Sequence, residues 1–280
     1  MEYTPRDISA VVCTMNSIKS IEVCLQSLRD CGVGEIIVVD ANSQDGTRQI
    51  VDKFADQVLT DPGVGLGVAR NLGIAKSQGS LVLNFGSDNV IIPSELGKMV
   101  EALSSKKLAG VSAQTRVQGD DYLSQSLNIW WQTRFKSGPA KVIGTPSLFL
   151  GQMLRDNPFD TSRQFSDDSE LCERWSQEFG ARFAISEAKV REVGKNTWSE
   201  ITQRCHIYGY SDYENFTQGS QLGWSSTRKI KSVLHPFKVD FVQPLAQLSF
   251  KDAAKSAPFL AAFTSMRYAA WIRTTRAKGN

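Results

Sequence analysis

The sequence predicts an α/β fold: a mostly parallel, doubly wound sheet with helices on both faces, followed by a C-terminal helical extension. Three observations predict it. Near-continuous apolar runs of strand length (EIIVV at 35–39, SLVLNF at 80–85) recur along the chain; amphipathic segments at helical spacing lie between them; and the two alternate through residue 116. Runs apolar on both faces suit strands covered on both faces, and strand–helix alternation implies parallel βαβ units.

The elements follow in order. Residues 8–13 form a first strand, stopped by Thr14-Met15-Asn16, and 18–28 a helix through Ile21, Cys24, Leu25 and Leu28. Residues 35–39 are a buried strand and 47–54 a helix, with Ile50, Val51 and Phe54 in step. A short strand at 58–59 precedes a helix at 68–77, and 80–85 is again a buried strand. Pro93 opens a helix to about residue 103, since a proline fits the first turn, and 110–116 is a strand. Beyond this point the pattern loosens. Residues 117–150 hold the pair Trp130-Trp131 and a Gly/Pro-rich stretch; a helix follows at 165–179, its acidic first turn matching the helix dipole. A strand at 181–185 and helices over 197–215 and 251–275 complete the reading.

A chain of 280 residues can bury a sizeable core, and its mixed composition excludes disordered, collagen-like and disulfide-scaffold classes. The net charge of +3 is a cancellation. Residues 1–227 carry 22 basic and 27 acidic side chains, or −5, whereas residues 228–280 carry 10 and 2, or +8. The economical division is therefore a body of residues 1–227, with one half over 8–116 and another over 117–227, and a basic extension over 228–280. An acidic body without a recognition motif disfavours nucleic acid. The five cysteines lack metal or redox spacing and read as buried thiols in a reducing compartment. With neither a signal-peptide pattern nor an apolar run of spanning length, the expected location is cytoplasmic, at most peripheral to the inner face of a membrane.

Ligands of open parallel sheets bind at the carboxyl ends of the strands. Polar clusters fall there: Thr14-Met15-Asn16, the run from Asp40 to Thr47, and Gly86-Ser87-Asp88-Asn89; Arg70-Asn71 follows a glycine run at 63–67. That run follows the third strand rather than the first, which argues against a dinucleotide fold.

In order and spacing, VVCTMNS (11–17), EIIVVDANSQDGT (35–47), GVARNLGIAKSQGSLVLNFGSDNVIIP (67–93) and FSDDSELCERW (165–175) resemble the blocks of family 2 glycosyltransferases of the GT-A fold. The resemblance covers about residues 8–185. It implies a nucleotide pocket formed by Thr14, Asn16 and Asp40, with Asn42, Ser43 and Asp45 shaping its loop, Arg70 on the diphosphate and Asn71 holding a turn. It further implies Asp88 as a ligand for Mg²⁺ or Mn²⁺. The usual first aspartate of that element is Gly86 here and the fourth residue is Asn89, so metal dependence stays open. Asp167-Asp168 occupies the acidic position, with Asp168 as the general base of an inverting transfer. The implied partners are a nucleotide-diphosphate sugar and a glycan or lipid-linked acceptor, joined in single transfers because the Q-x-x-R-W element of processive synthases is absent. A non-catalytic sugar-nucleotide-binding homologue remains the alternative.

Trp130 and Trp131 offer either a stacking surface for an acceptor sugar or core packing. The basic extension combines Phe259, Phe263, Met266, Tyr268 and Trp271 with Arg267, Arg273, Arg276 and Lys278. It suits either an anionic membrane surface or a helix docked on the body with its cations in water.

Overall fold

The structure is a computed structural model that describes residues 3–162, 167–194 and 196–278. The chain groups into two units, one of residues 1–116 and 137–194, the other of 117–136 and 195–280. The strands in chain order are β1 (Ile8–Thr14), β2 (Glu35–Asp40), β3 (Gln57–Thr60), β4 (Leu81–Gly86), β5 (Asn89–Val90), β6 (Gly110–Val117), β7 (Gly138–Ala140), β8 (Ser147–Leu150) and β9 (Phe183–Glu192).

In the first unit, β1, β2, β3 and β4 pair in parallel in the order β3-β2-β1-β4, as the alternation predicts. Beyond β4 the sheet continues through β8, β6, β9 and β5, with β8 antiparallel to both β4 and β6. β5 and β7 each pair antiparallel with β9. These added strands include β5, β7 and β8, which the sequence did not announce. They run for 2, 3 and 4 residues, too few to establish a period-two pattern, and β7 reads Gly-Pro-Ala.

Side chains alternate across the sheet and so define two cores. Ala10, Val12, Ile36 and Val38 face α1 (Ile21–Asp30), α2 (Thr47–Phe54) and α4 (Pro93–Ser105), packing with Leu25, Leu28, Val51 and Met99. Val11 and Val82 point the other way. They join Ile74 of α3 (Leu66–Lys76), Leu154 of a short helix at Gly151–Asp156, and Leu171 and Trp175 of a helix at Asp167–Phe179. At Gly73 α3 lies so close to the sheet that an added Cβ would fall 2.5 Å from Val11 Cγ1 and 3.3 Å from Val39 Cγ2.

The second unit is helical. With α5 (Tyr122–Arg134) in its place in the numbering, the helix at Gly151–Asp156 is α6 and that at Asp167–Phe179 is α7. α5 packs with α8 (Trp198–Gln221), a π-helical turn at Lys238–Val242, α10 (Gln243–Leu245) and α11 (Phe250–Lys278), while α9 (Ser226–Phe237) packs with α8, the π-helical turn and α11. Leu127, Trp130, Ile201, Cys205, Phe259, Leu260 and Phe263 form its core. Buried among these helices is a charged network. Asp240 pairs with Arg134 and Arg267, accepts a hydrogen bond from Trp130 Nε1 at 3.0 Å, and lies 2.7 Å from Arg267 Nη1. Arg267 also forks onto Asp212 at 2.7 Å through both Nε and Nη2.

Three sequence expectations change here. The boundary at residue 227 does not match the division of the chain, because α5 and α8 share one core with α11. Trp130 is fully buried with its indole N–H engaged, so it is a core side chain and not a sugar platform; Trp131 is half-buried, with Arg204 over its ring at 5.2 Å. Phe259, Phe263 and Trp271 are buried within this unit, and Arg267 is buried and paired rather than solvated. A helix that faces a protein core and one that faces lipid share the same 3.6-residue period, so the sequence could not separate them.

Two substitutions probe these contacts by urea denaturation. Gly73→Ala is expected to cost about 1–3 kcal/mol through overpacking against Val11. Asp240→Ala leaves buried Arg267 and half-buried Arg134 short of a counter-charge and is expected to cost about 3–5 kcal/mol.

Candidate functional site

The parallel register sets the site. Thr14 stands beside Asp40, and Asp40 beside Thr60, while Cys13 stands beside Gly86. The carboxyl ends of β1, β2 and β4 therefore reach one edge together. Asp40 is buried there, accepting the Ser43 hydroxyl at 2.6 Å and the Ser43 amide at 3.2 Å. Thr14 is buried beside it, and its Oγ1 has no hydrogen-bond partner among the described residues. An orphaned hydroxyl at a strand end costs about 1–3 kcal/mol.

The loops after β1 and β2 are stitched together by side chains. Asn16 Oδ1 accepts the Gln44 amide at 2.9 Å, and the Asn16 amide donates to Ser43 Oγ at 2.8 Å. Asp45 accepts from the Thr47 hydroxyl at 2.6 Å, the Thr47 amide at 3.0 Å and the Ile18 amide at 3.1 Å. Donation by the Thr47 hydroxyl is the main reason that the Asp45 carboxyl titrates below its ordinary value. Its latch is thus intact at neutral pH and weakens as pH falls through that lowered range. Asn16 and Asn42 sit at φ 49° and 54°, a left-handed conformation that asparagine tolerates better than most residues. The side chains of Asn16 and Asp45 accordingly hold the two loops together, and Asn42 makes the turn.

After β4 the chain turns tightly. Asn89 Oδ1 accepts the Gly86 amide at 3.2 Å, and a Cβ on Gly86 would lie 2.8 Å from both Asp88 Oδ1 and Asn89 Oδ1. The glycine thus leaves the space into which the Asp88 carboxylate folds. Cys24 of α1 donates to Gly86 O at 3.3 Å from beneath, its thiol pushed far up by burial and secondarily by the charge of Asp88. The described residues contain no group of three metal-ligating side chains. Such a donor set fits a cation carried in largely by diphosphate oxygens, with Asp88 as the protein ligand, and does not fit a preassembled metal cage.

Arg70 and Asp168 come together from positions 98 residues apart in sequence. Arg70 Nη1 lies 3.2 Å from Asp168 Oδ1, its Nη2 donates to Thr145 Oγ1 at 2.7 Å, and the guanidinium stands 5.2 Å from the centre of the Phe159 ring. An added Cβ on Gly144 would be 3.4 Å from Asp168 Oδ2, so the backbone there borders the carboxylate. Asn71 clamps the backbone of Phe159, 88 residues further along, through 2.8 and 3.1 Å bonds, a long-range brace in place of the local turn expected of it. The sequence placed Arg70 on a diphosphate; the structure engages its guanidinium with Asp168 and Thr145. The side chain of Asp167 lies outside the described residues. Sequence reading missed Thr145 and Gly144, which sit in a Gly/Pro-rich stretch without period. Two surface cavities, of 450 and 390 Å³, lie elsewhere: one beside Leu103, Phe179 and Arg182, the other beside Gln26, Ile91 and Arg191.

The family model described as glycosyl transferase family 2 matches residues 9–163, more than half of the chain. The chain belongs to glycosyl transferase family 2. Among curated relatives, the succinoglycan biosynthesis protein ExoO of Rhizobium meliloti is 34% identical over 178 residues, covering 60% of this chain and 48% of that protein. The putative glycosyltransferase EpsH of Bacillus subtilis is 31% identical over 100 residues, 33% of this chain and 29% of that one. The matches span from 25% to 48% of the length of the curated relatives. Among solved structures, the mannosyltransferase PcManGT of Pyrobaculum calidifontis in complex with GDP-Man and Mn²⁺ superposes with a TM-score of 0.65 at 17% identity, covering 99% of this chain and 88% of that one. S. aureus TarS 1–349 in complex with UDP-GlcNAc gives 0.53 at 16% identity, covering 98% and 92%. At such identities the likeness is one of fold, and the fold of this family 2 protein is GT-A-like. The family match ends at residue 163, before Asp168.

Thr14→Val removes the orphaned hydroxyl while keeping the shape of the side chain. It is expected to leave the stability of the free protein unchanged or to raise it by about 1 kcal/mol, read from urea denaturation.

Proposed function

We propose that this protein is a glycosyltransferase that moves a sugar from a nucleotide-diphosphate donor to a hydroxyl of a glycan or lipid-linked acceptor, one sugar per encounter, with inversion. The observation that carries the reading is the Arg70–Asp168 pair, in the same unit as the strand-end cluster of Thr14, Asp40 and Asp88. Family membership and the nucleotide-sugar complexes of the structural neighbours named above support it.

Each residue then has a task that its surroundings suit. Thr14 offers a buried hydroxyl with free hydrogen-bonding capacity to the nucleoside, and Asp40, fixed by Ser43, presents its remaining carboxylate lone pairs beside it. A divalent cation held by Asp88 and the donor's oxygens would supply charge neutralisation for the departing diphosphate. Asp168 takes the proton of the acceptor hydroxyl as that oxygen bonds to the anomeric carbon. The bond from the anomeric carbon to the diphosphate oxygen breaks, and the nucleoside diphosphate leaves with the electron pair. Arg70 is a positioning residue. Its fixed fork, braced by Thr145 and Phe159, holds Asp168 in one orientation.

A second reading, a sugar-nucleotide-binding homologue without transferase activity, rests on Gly86 at the position where the family element usually has an aspartate. Both readings call for donor binding, so transfer or donor hydrolysis over a panel of nucleotide sugars separates them.

Asp168→Asn is expected to lower kcat by a factor of about 10²–10⁴ with little change in donor affinity; full retained activity would refute the base assignment. Arg70→Lys is expected to lower kcat while donor affinity measured by calorimetry stays within about twofold, because a lysine keeps the charge but loses the fork. A large loss of donor affinity instead would return Arg70 to the diphosphate.

A further inference from the structure

Residues 226–239 contain four cations, Arg228, Lys229, Lys231 and Lys238, and no carboxylate. The next residue, Asp240, is buried and already paired with Arg134 and Arg267, so it does not offset that charge at the surface. Along α9 and into the π-helical turn, Pro236 and Asp240 face inward. On another side Ile230, Val233, Leu234 and Phe237 are 60%, 42%, 53% and 46% exposed. Their spacing of i, i+3, i+4 and i+7 makes them a single apolar stripe on the helix. Exposed Lys231 and Lys238 each follow a member of the stripe by one residue, about 100° further round the helix, and so border it on one side. The aromatic residues of α11 offer no comparable stripe, since Phe259, Phe263 and Trp271 are buried in the unit and exposed Phe250 stands at the start of the helix, nine residues before Phe259.

We propose that α9 is a docking surface for an anionic lipid bilayer. Ile230, Val233, Leu234 and Phe237 enter the acyl boundary, while Lys231 and Lys238 extend to the lipid phosphates. The charge selects this occupant. A second copy of the chain would bring like-charged lysines together around the stripe, whereas an anionic headgroup layer complements them. The helix lies on the surface and does not cross it: no helix among the described residues is long and apolar enough to span a bilayer. This docking is independent of the proposed transfer chemistry.

The test is co-sedimentation of the full-length protein with vesicles of phosphatidylcholine alone and of phosphatidylcholine mixed with phosphatidylglycerol. The protein should pellet with the mixed vesicles, far less with phosphatidylcholine, and less as salt is raised. The pairs Ile230→Ser/Leu234→Ser and Lys231→Glu/Lys238→Glu should each weaken binding by about tenfold or more, with an unchanged Tm because these four positions are exposed, while Lys231→Arg/Lys238→Arg should retain it. No preference for the anionic vesicles overturns the proposal, as does binding that survives both weakening pairs. Light scattering that shows a dimer lost in Ile230→Ser/Leu234→Ser, without vesicle binding, would assign the stripe to a second copy instead.

Discussion

The parallel pairing of β1 with β2 and β4 is the constraint on which the first unit depends. Parallel strands joined by helical crossovers must all finish at the same edge, and this register brings Thr14, Asp40 and Gly86 there within one residue of one another. Both faces of the strands are covered, so the edge is where the chain turns from buried backbone to polar loop. Side chains complete that transition. Asp45 and Asn16 bind backbone amides of neighbouring loops, and Ser43 fixes Asp40. The polar side chains at this edge thus divide into those that tie the loops together and those that do not, with Thr14 Oγ1, buried and without a partner among the described residues, among the latter.

The Arg70–Asp168 pair adds a long-range element to this local frame. Arg70 is buried on α3, a helix seated tightly against the sheet at Gly73, so the guanidinium has little freedom of position. Asp168 is one-quarter exposed at the start of α7. A pair with one buried and one partly solvated member combines real Coulombic attraction with modest desolvation, and its value here is geometric more than energetic. In the proposed transfer the base must be held within hydrogen-bonding reach of a proton, and a planar fork braced by Thr145 and Phe159 constrains the carboxylate better than a point charge would.

In the second unit the same excess of basic residues is used in two ways. Arg134 and Arg267 are drawn inward by Asp240 and Asp212, where hydrogen bonds replace lost hydration. The cations of α9 stay outside, next to a stripe of apolar side chains that is about half exposed. Burial of the first set requires carboxylates contributed by α8 and the π-helical turn, and no such carboxylate lies within 226–239. Net charge alone gives neither arrangement.

The sequence by itself determined the α/β class, the order of the parallel strands' elements, the family blocks and their place at strand ends, because each leaves a local mark: strand-length apolar runs, helical spacing, or a short polar motif. Tertiary structure alone decided the rest. The strands β5, β7 and β8 are too short to carry a period, and their pairing depends on neighbours distant in sequence. The meeting of Arg70 with Asp168, the burial of Trp130, and the division of the basic residues between core and surface are likewise contacts between segments far apart in the chain. Local pattern tells which residues prefer to be covered; only the packed fold specifies what covers them.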